Sequence, residues 1–238
     1  LESNIRTSSR MFEFVYKMFG EGYATIPKLG IGEISHQLKN KLQNTEFIFN
    51  SEVKEITNDK ILMASGESLP HDGVIIATNS TSIIRSHEGA DMKWKACMCL
   101  YFEVDQTNIP ANTIALIADS GNYANNLYAY TDAETGKTIL SVTALEHMNK
   151  PDAEITEKII AEVKKYAGAR KVNFIHQYRI KRALPDIQNL KMTVQPGENQ
   201  VMDNIFIAGD ALMNGSLNAA MESGRIAAKS LLENSKVK

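Results

Sequence analysis

The stretch that decides the fold is "IFIAGDALMNGSLNAAMESGRIAAKSLL", at residues 205–232. Its apolar start, residues 205–208, predicts a short buried strand. Ser216 is a good N-cap, so a helix is predicted from residue 217 to about residue 232. The helix is rich in small residues, and small residues let a sheet or a ligand come close to the backbone. Its larger apolar side chains fall on one face, together with two of the small residues: Leu217, Met221, Gly224, Ala228 and Leu231.

The start of this helix has two physical interpretations. The first N–H groups of a helix are unpaired and together carry about half a positive charge, which suits a phosphate or a heterocycle that takes up negative charge. The carboxylate of Asp210 would repel a phosphate but can accept hydrogen bonds from ribityl hydroxyls. The alternative is a buried strand, a Gly209–Asp210 turn and a capped helix packed tightly on the sheet. Composition does not separate the two.

Outward from this stretch, two kinds of sheet are predicted. The apolar run at residues 74–77 is typical of a strand buried on both faces of a parallel sheet. Between residues 93 and 185, strands separated by polar turns predict an antiparallel sheet, with a helix at about residues 152–166. Upstream, helices are predicted before residue 20 and at residues 31–42, and one strand leading into another at residues 45–56. The fold class is therefore α/β, with mixed α+β character and a mostly antiparallel insert.

Composition excludes several function classes. The 238 residues carry a formal charge of -2, which gives no reason to expect a nucleic acid or an anionic membrane as partner. The sequence has no run of 18 apolar residues, the length needed to span a bilayer, and its first residues do not form a secretory signal. Cys97 and Cys99 are two residues apart on a predicted strand, so their side chains face the same side of it. This spacing is too short for easy disulfide bonding, and we interpret the two as a packed, reduced pair without a redox or metal role. These features predict a cytoplasmic protein.

Three stretches together resemble one family. "AGDALMNGSLNAAMESGRIAA" (residues 208–228) resembles the closing flavin motif of the FAD-dependent amine oxidase superfamily, which includes phytoene desaturases and protoporphyrinogen oxidase. "IPKLGIGEISHQL" resembles the family's Pro-x-Gly-Gly-Met segment and its helix, with Leu29 in place of the first glycine. "NSEVKEI" and "GVIIATN" resemble the adenine-side strand and the later buried strand of the FAD domain. "RALP" at residues 182–185 fits the segment that leads back from the substrate domain.

The resemblance implies a division into two domains. Residues 20–85 and 186–238 would form a partial, Rossmann-like FAD-binding domain, and residues 1–19 and 86–185 a substrate domain. The GxGxxG unit that opens this fold is missing, because no buried strand precedes Gly30-Ile31-Gly32 and no third glycine follows it. The resemblance places that unit before Leu1. We therefore expect that the chain alone is inactive, holds little FAD, and associates with itself through the surfaces left uncovered.

The resemblance also assigns a cofactor site. Asp210, beside Gly209, would hold the ribityl–phosphate region of FAD. Behind the cap residue Ser216, three backbone N–H groups would face the N1–C2=O edge of the flavin: those of Leu217, Asn218 and Ala219. The backbone of Val53 would meet the adenine, although a core strand valine is an equal interpretation. Thr78 follows a buried strand, where nucleotides collect in open α/β sheets.

No catalytic side chain or metal site is predicted. Lys95 lies near the position of a lysine that some amine oxidases place by the flavin, but out of register, and a solvated lysine at a strand edge is the alternative. His147 and His176 are interpreted as surface or strand histidines. Met213 and Asn214 stand in the helix-start motif, where no aromatic pair is found, and this favours a bulky apolar substrate over an amine.

The function that follows is an oxidoreductase that transfers hydride to FAD from a small apolar organic substrate, such as a polyene or a porphyrin-like ring. The competing hypothesis is a flavin-free binding protein of the same fold. GDP-dissociation inhibitors resemble this architecture and bind prenylated protein partners.

Overall fold

The computed structural model describes residues 8–23, 25–78, 83–84, 93–110, 113–145, 149–187 and 190–235. Contacts divide these residues into two compact units. The insert unit comprises the described residues between 93 and 186, and the outer unit comprises those of 8–84 and 187–235. The predicted domain boundaries stay a prediction; the structure groups the first helix with the outer unit.

Four helices and eleven strands follow one another along the described residues. In chain order they are α1 (Ser9–Glu21), α2 (Gly32–Lys41), β1 (Val53–Ile56), β2 (Lys60–Met63), β3 (Ser68–Pro70), β4 (Val74–Ile76), β5 (Trp94–Val104), β6 (Ile114–Leu116), β7 (Ala124–Thr131), β8 (Thr138–Ala144), α3 (Asp152–Ala167), β9 (Val172–Pro185), β10 (Gln200–Met202), β11 (Ile205–Ile207) and α4 (Leu217–Ser235). The predicted mixed α and β fold class is confirmed.

The insert unit is a five-stranded antiparallel sheet in the order β6-β7-β8-β5-β9, with α3 on one face. Alternation along β5 turns Met98, Leu100 and Phe102 into the core. α3 contributes Ile155 and Ile159 to the same core, and both are fully buried. The predicted antiparallel sheet and helix are confirmed. The last strand of this unit, β9, runs to Pro185 and so includes the "RALP" segment.

The two cysteines lie on the face of β5 opposite this core. Both are free thiols; Cys97 is buried and Cys99 half-buried, as predicted for a packed reduced pair. Burial, and then the charge of Cys99, raises the pKa of the Cys97 thiol. A hydrogen bond with Cys99 is the main reason why the pKa of Tyr101 is raised to about 12. Tyr101 is therefore a neutral phenol at physiological pH.

The outer unit contains two small sheets. The first is an antiparallel sheet of β1, β2 and β3. In the second, β11 is the central strand and pairs in parallel with β4 and antiparallel with β10. α4 packs on the second sheet, where Ala227 and Leu231 meet Phe206. At Gly73 the approach is very close, because a Cβ there would lie 2.3 Å from Cδ1 of Leu231.

Three expectations about the outer unit are corrected by the structure. Residues 45–50 form no strand, and the aromatic and aliphatic side chains of residues 47–49 are exposed. Of the run at residues 74–77, only Ile76 is buried, since β4 lies at the edge of its sheet among the described residues. The residues that α4 buries are on nearly the opposite face from the apolar stripe that begins at Leu217 and Met221, which are about half exposed. The buried residues are Ala219, Ser223, Ile226, Ala227 and Ser230.

The two N-terminal helices carry little of the core. The predicted helices at both places are confirmed, but neither α1 nor α2 buries a residue. On α1, Phe12 and Phe19 expose 71% and 68% of their surface. In the described part of the chain, no helix is both long and apolar enough to cross a membrane.

Candidate functional site

The candidate site begins where β11 ends. The amide of Ala208 donates to the carbonyl of Ile76, the last residue of β4, at 2.9 Å and so carries the parallel pairing one residue beyond β11. Gly209 follows, and a single turn of 3-10 helix then runs over Asp210–Leu212. This turn therefore starts at the carboxyl end of the β4–β11 pair. In open sheets of this kind, ligands bind beyond the carboxyl ends of the strands.

Gly209 is needed for its backbone conformation. Its φ of 155° lies in the region that residues with a Cβ rarely adopt. A Cβ built there would have no atom within 4 Å, so steric crowding is not the reason for the glycine. The chain can thus change direction directly after the strand, with open space beside the turn.

The turn after Gly209 is closed by backbone bonds that leave the Asp210 side chain free. The amides of Met213 and Gly215 both donate to the carbonyl of Asp210 at 3.1 Å. Gly215 has a φ of 68°, the left-handed conformation that glycine adopts at low cost. The half-buried carboxylate of Asp210 has no hydrogen-bond partner among the described residues.

The start of α4 is capped as predicted. Ser216 Oγ accepts from the amide of Ala219 at 3.1 Å and donates to Oδ1 of the buried Asn214 at 2.6 Å. Within the described chain, the amides of Leu217 and Asn218 have no partner, and both residues are exposed. The positive end of the helix therefore presents two unpaired donors beside the turn that carries Asp210, instead of the predicted three, because the amide of Ala219 is bonded to the cap residue.

A second serine ties this turn to the body of the helix. Ser223 Oγ accepts from the amide of Gly209 at 2.9 Å and donates to the carbonyl of Ala220 at 2.9 Å. In the sequence, Ser223 is one of the small residues of the helix and of the stretch that resembles the flavin motif, and neither feature predicts this bond. The spacing of seven between Ser216 and Ser223 was the available signal, because seven residues make about two helical turns and return to the same face.

Seven of the eight predicted cofactor residues lie at this end of the β4–β11 pair. They are Thr78, Gly209, Asp210, Ser216, Leu217, Asn218 and Ala219. Thr78 is exposed just after β4. Val53 lies in β1, in the neighbouring sheet, and packs against the cluster around Ile56. A role for any of the eight in cofactor binding stays a prediction.

The other residues that sequence reasoning singled out lie elsewhere. Lys95 is half-buried, with its Nζ 3.8 Å from Asp186 Oδ1, and is not the solvated edge lysine of the alternative interpretation. His176 is exposed on β9, with its ring centroid 4.5 Å from that of Tyr178, as expected of a strand histidine. His147 lies outside the described residues. Met213 is buried in a cluster around Ala219.

This arrangement of donors and acceptors fits a flavin. Two unpaired amides at the start of a helix can donate to the pyrimidine edge of the ring, which becomes more negative on reduction. An unpartnered carboxylate nearby can accept from ribityl hydroxyls. The glycine turn between them leaves open space. A cation would fit poorly at the helix start, and the described residues contain no group of three side chains that could hold a metal ion.

The sequence matches one protein family over nearly its whole length. The profile of the flavin-containing amine oxidoreductases covers residues 3–232. The chain belongs to this family. Among curated proteins, none matches the sequence significantly.

Several solved structures have the same fold at low sequence identity. An oxidoreductase from Methanosarcina mazei is 16% identical, with a TM-score of 0.69, and the match covers 98% of this chain and 61% of that one. Cyclohexylamine oxidase from Brevibacterium oxydans is 12% identical, with a TM-score of 0.63 and coverages of 86% and 53%. Wild-type putrescine oxidase bound to putrescine is 12% identical, with a TM-score of 0.55 and coverages of 87% and 52%. At these identities the similarity shows the fold alone.

The coverages also describe how much of the fold is present. This chain spans between 52% and 61% of the length of these three structures. It therefore corresponds to about half of each solved relative.

Proposed function

We propose that the chain forms part of the FAD site of an oxidoreductase that oxidises a small apolar organic substrate. The observation that carries the proposal is the placement of the turn that bears Asp210 beside the start of α4, where the amides of Leu217 and Asn218 are unpaired in the described chain. Family membership supports a flavin as the ligand of these groups. FAD, rather than a shorter flavin, is supported by the resemblance of the Val53 strand to the adenine side of the family's site.

Each part of the site has a separate task in this proposal. The flavin, when bound, supplies the acceptor for a hydride from the substrate. Asp210 orients it by accepting hydrogen bonds from its ribityl chain. The amides of Leu217 and Asn218 stabilise negative charge on the pyrimidine edge, because they are fixed dipoles at the positive end of α4. The pyrophosphate is held by residues outside this sequence, which contains no GxGxxG segment.

The nature of the substrate is proposed from the segment before α4. Met213 and Asn214 occupy the helix-start motif, and both are buried. The segment therefore presents no aromatic pair that could enclose an amine. An apolar substrate can be oxidised without a fixed acid or base if its carbon is held against the flavin and water is excluded.

The test compares two aspartates in the full-length protein that contains this chain. Asp210→Ala removes the free carboxylate, and Asp203→Ala removes one from the exposed turn before β11. We expect Asp210→Ala to raise the Kd for FAD at least about tenfold, because one charge-assisted hydrogen bond contributes about 1.5–3 kcal/mol. The Kd of Asp203→Ala should stay within twofold of that of the wild type. Equilibrium titration followed by flavin fluorescence measures both.

Two results would contradict the proposal in different ways. A colourless wild-type protein that takes up no FAD, and instead captures a prenylated protein, would support the flavin-free binding protein. Equal affinities of the wild type and Asp210→Ala would remove Asp210 from the site.

A separate experiment uses residues 1–238 alone. The FAD released on denaturation of this chain should amount to much less than one per chain. One tightly held FAD per chain would show that the pyrophosphate site lies within this sequence.

A further inference from the structure

Three serines recur at intervals of seven along α4 and its cap: Ser216, Ser223 and Ser230. Because seven residues make about two turns, the three lie on one stripe of the helix, along which Ser223 and Ser230 are buried and Ser216 is half-buried. Their environments differ. Ser216 caps the helix and Ser223 binds the turn before it, whereas Ser230 Oγ is buried without a hydrogen-bond partner.

Ser223 is held in a single arrangement. Its one hydroxyl proton goes to the carbonyl of Ala220, and an oxygen lone pair accepts from the amide of Gly209. The residue is only 1% exposed, so water has little access to replace either bond. A buried hydrogen bond of this kind is costly to lose because the remaining partner is left unsatisfied.

This bond connects the two halves of the proposed flavin site. Gly209 is the residue directly before Asp210, so fixing its amide fixes the origin of the Asp210 side chain. Ser223 lies six residues after Leu217 on the same rigid helix, a rise of about 9 Å. The turn is also connected to the helix start by a loop closed by two backbone bonds to the Asp210 carbonyl and by the packing of Met213 against Ala219, but among the described residues only the Ser223 bond joins Gly209 itself to the helix.

We propose that Ser223 is a positioning residue for the flavin. Its hydroxyl holds the Asp210 carboxylate at a fixed offset from the unpaired amides of Leu217 and Asn218, and thereby tunes both the affinity for FAD and the reduction potential of the bound flavin. This inference rests on the proposed function, because it assumes that these groups contact a flavin.

The test uses two serine-to-alanine variants of the full-length holoprotein. Ser223→Ala removes the bond to Gly209, and Ser230→Ala removes a buried hydroxyl without a partner from the same stripe of the same helix. We expect the Kd for FAD to rise about five- to tenfold in Ser223→Ala, the range for one lost hydrogen bond. Ser230→Ala should stay within twofold of the wild type.

The reduction potential separates positioning from a general loss of stability. Looser alignment of the helix amides stabilises negative charge on the flavin less well, so the midpoint potential of Ser223→Ala should become more negative. The visible absorption bands of the flavin should shift in the same variant. Helix packing alone would lower the unfolding temperature without moving the potential of the fraction that is folded and loaded.

Three outcomes overturn the inference. Unchanged affinity and potential in Ser223→Ala show that the hydroxyl does not position the site. Equal losses in Ser223→Ala and Ser230→Ala show an effect of helix packing. A wild-type protein that binds no FAD overturns the inference together with the proposed function, whereas flavin binding that Ser223→Ala leaves intact overturns the inference alone. If Ser223→Ala does not fold, Ser223→Cys is the variant to test, because its sulfur nearly keeps the volume of the side chain but is a weaker hydrogen-bond acceptor. We expect its midpoint potential to lie between that of the wild type and a more negative value. A wild-type potential in Ser223→Cys would overturn the inference.

Discussion

The interior of each of the two units is stabilised in a different way. The insert unit has one continuous core of sixteen buried residues between its sheet and α3. The outer unit divides its buried apolar residues among three clusters of four, four and three. The insert unit is thus stabilised mainly by apolar burial, while the outer unit depends more on hydrogen bonds at turns and helix ends.

This difference matches the task that we propose for the outer unit, which carries the candidate flavin site. A ligand site needs unpaired donors and acceptors, and these cannot be enclosed in a continuous apolar core. The segment from Gly209 to Ser223 supplies such groups, and its shape is set by single bonds to single atoms. Regions of this type are drawn from the less stable parts of a protein. Substitutions in the two units should therefore have costs of different size.

The largest effect is expected from a core phenylalanine of the insert unit. Phe102 is fully buried, and its ring centroid lies 5.9 Å from that of Phe174. Phe102→Ala should lower the free energy of unfolding by about 3–5 kcal/mol through lost burial and an unfilled cavity. Urea denaturation followed by the fluorescence of Trp94, the single tryptophan, reports on this unit.

The exposed counterpart in the outer unit is Phe49→Ala. Phe49 is 64% exposed beside Lys39 and Phe47, so the cost should stay below about 1 kcal/mol. Near-equal costs for the two substitutions would contradict the contrast between the packed core of the insert unit and the exposed side chains of residues 47–49. A large cost at Phe49 would show that its exposed face is covered in solution.

The sequence predicted the insert unit well for a physical reason. Along most of β5, β7 and β8 buried and less buried residues alternate, because one face packs on α3 and the other carries polar or aromatic side chains. The period of two then identifies both the strand and its buried face. The helical period of α3 likewise identifies Ile155 and Ile159 as core residues.

Prediction was poorer in the outer unit because the same signals are ambiguous there. On α4, Leu217 and Met221 are the large apolar residues, but small residues on the other face allow the closer packing and are the ones buried. Residues 45–50 are as apolar as a strand but lie unpaired in the described structure. Hydrogen bonds to a single backbone atom, such as that of Ser223, leave no periodic pattern in a sequence.

The second-largest loss of stability is expected at a buried carboxylate of the insert unit. Glu162 on α3 is 3% exposed and accepts from the amides of Tyr123 and Ala124 at 2.8–3.1 Å. In Glu162→Gln one acceptor oxygen becomes an NH2 donor that faces these amides. The expected cost is about 2–3 kcal/mol, the range for losing a hydrogen bond to a charged group.

Glu157→Gln is the control for this substitution. Glu157 lies on the same helix but is exposed, so its replacement should change the free energy of unfolding by less than about 0.5 kcal/mol. If Glu162→Gln were equally mild by urea denaturation, the start of β7 would be fixed by the sheet alone and not by the carboxylate.

The smallest effect is expected at the turn of the outer unit. Gly209→Ala places a Cβ on a residue with a φ of 155°, at a cost of about 1–2 kcal/mol in local stability. Gly224→Ala is the matched control, because Gly224 is within α4 and a Cβ there meets no atom within 4 Å; it should stabilise the helix by about 0.5–1 kcal/mol. Hydrogen exchange of peptides from residues 205–232 should therefore become faster in the first variant and slower in the second. Equal exchange rates in the two variants would mean that the turn of Gly209→Ala relaxes to a conformation that any residue can adopt. The position of Asp210 relative to α4, on which the proposed site depends, would then not be fixed by this turn.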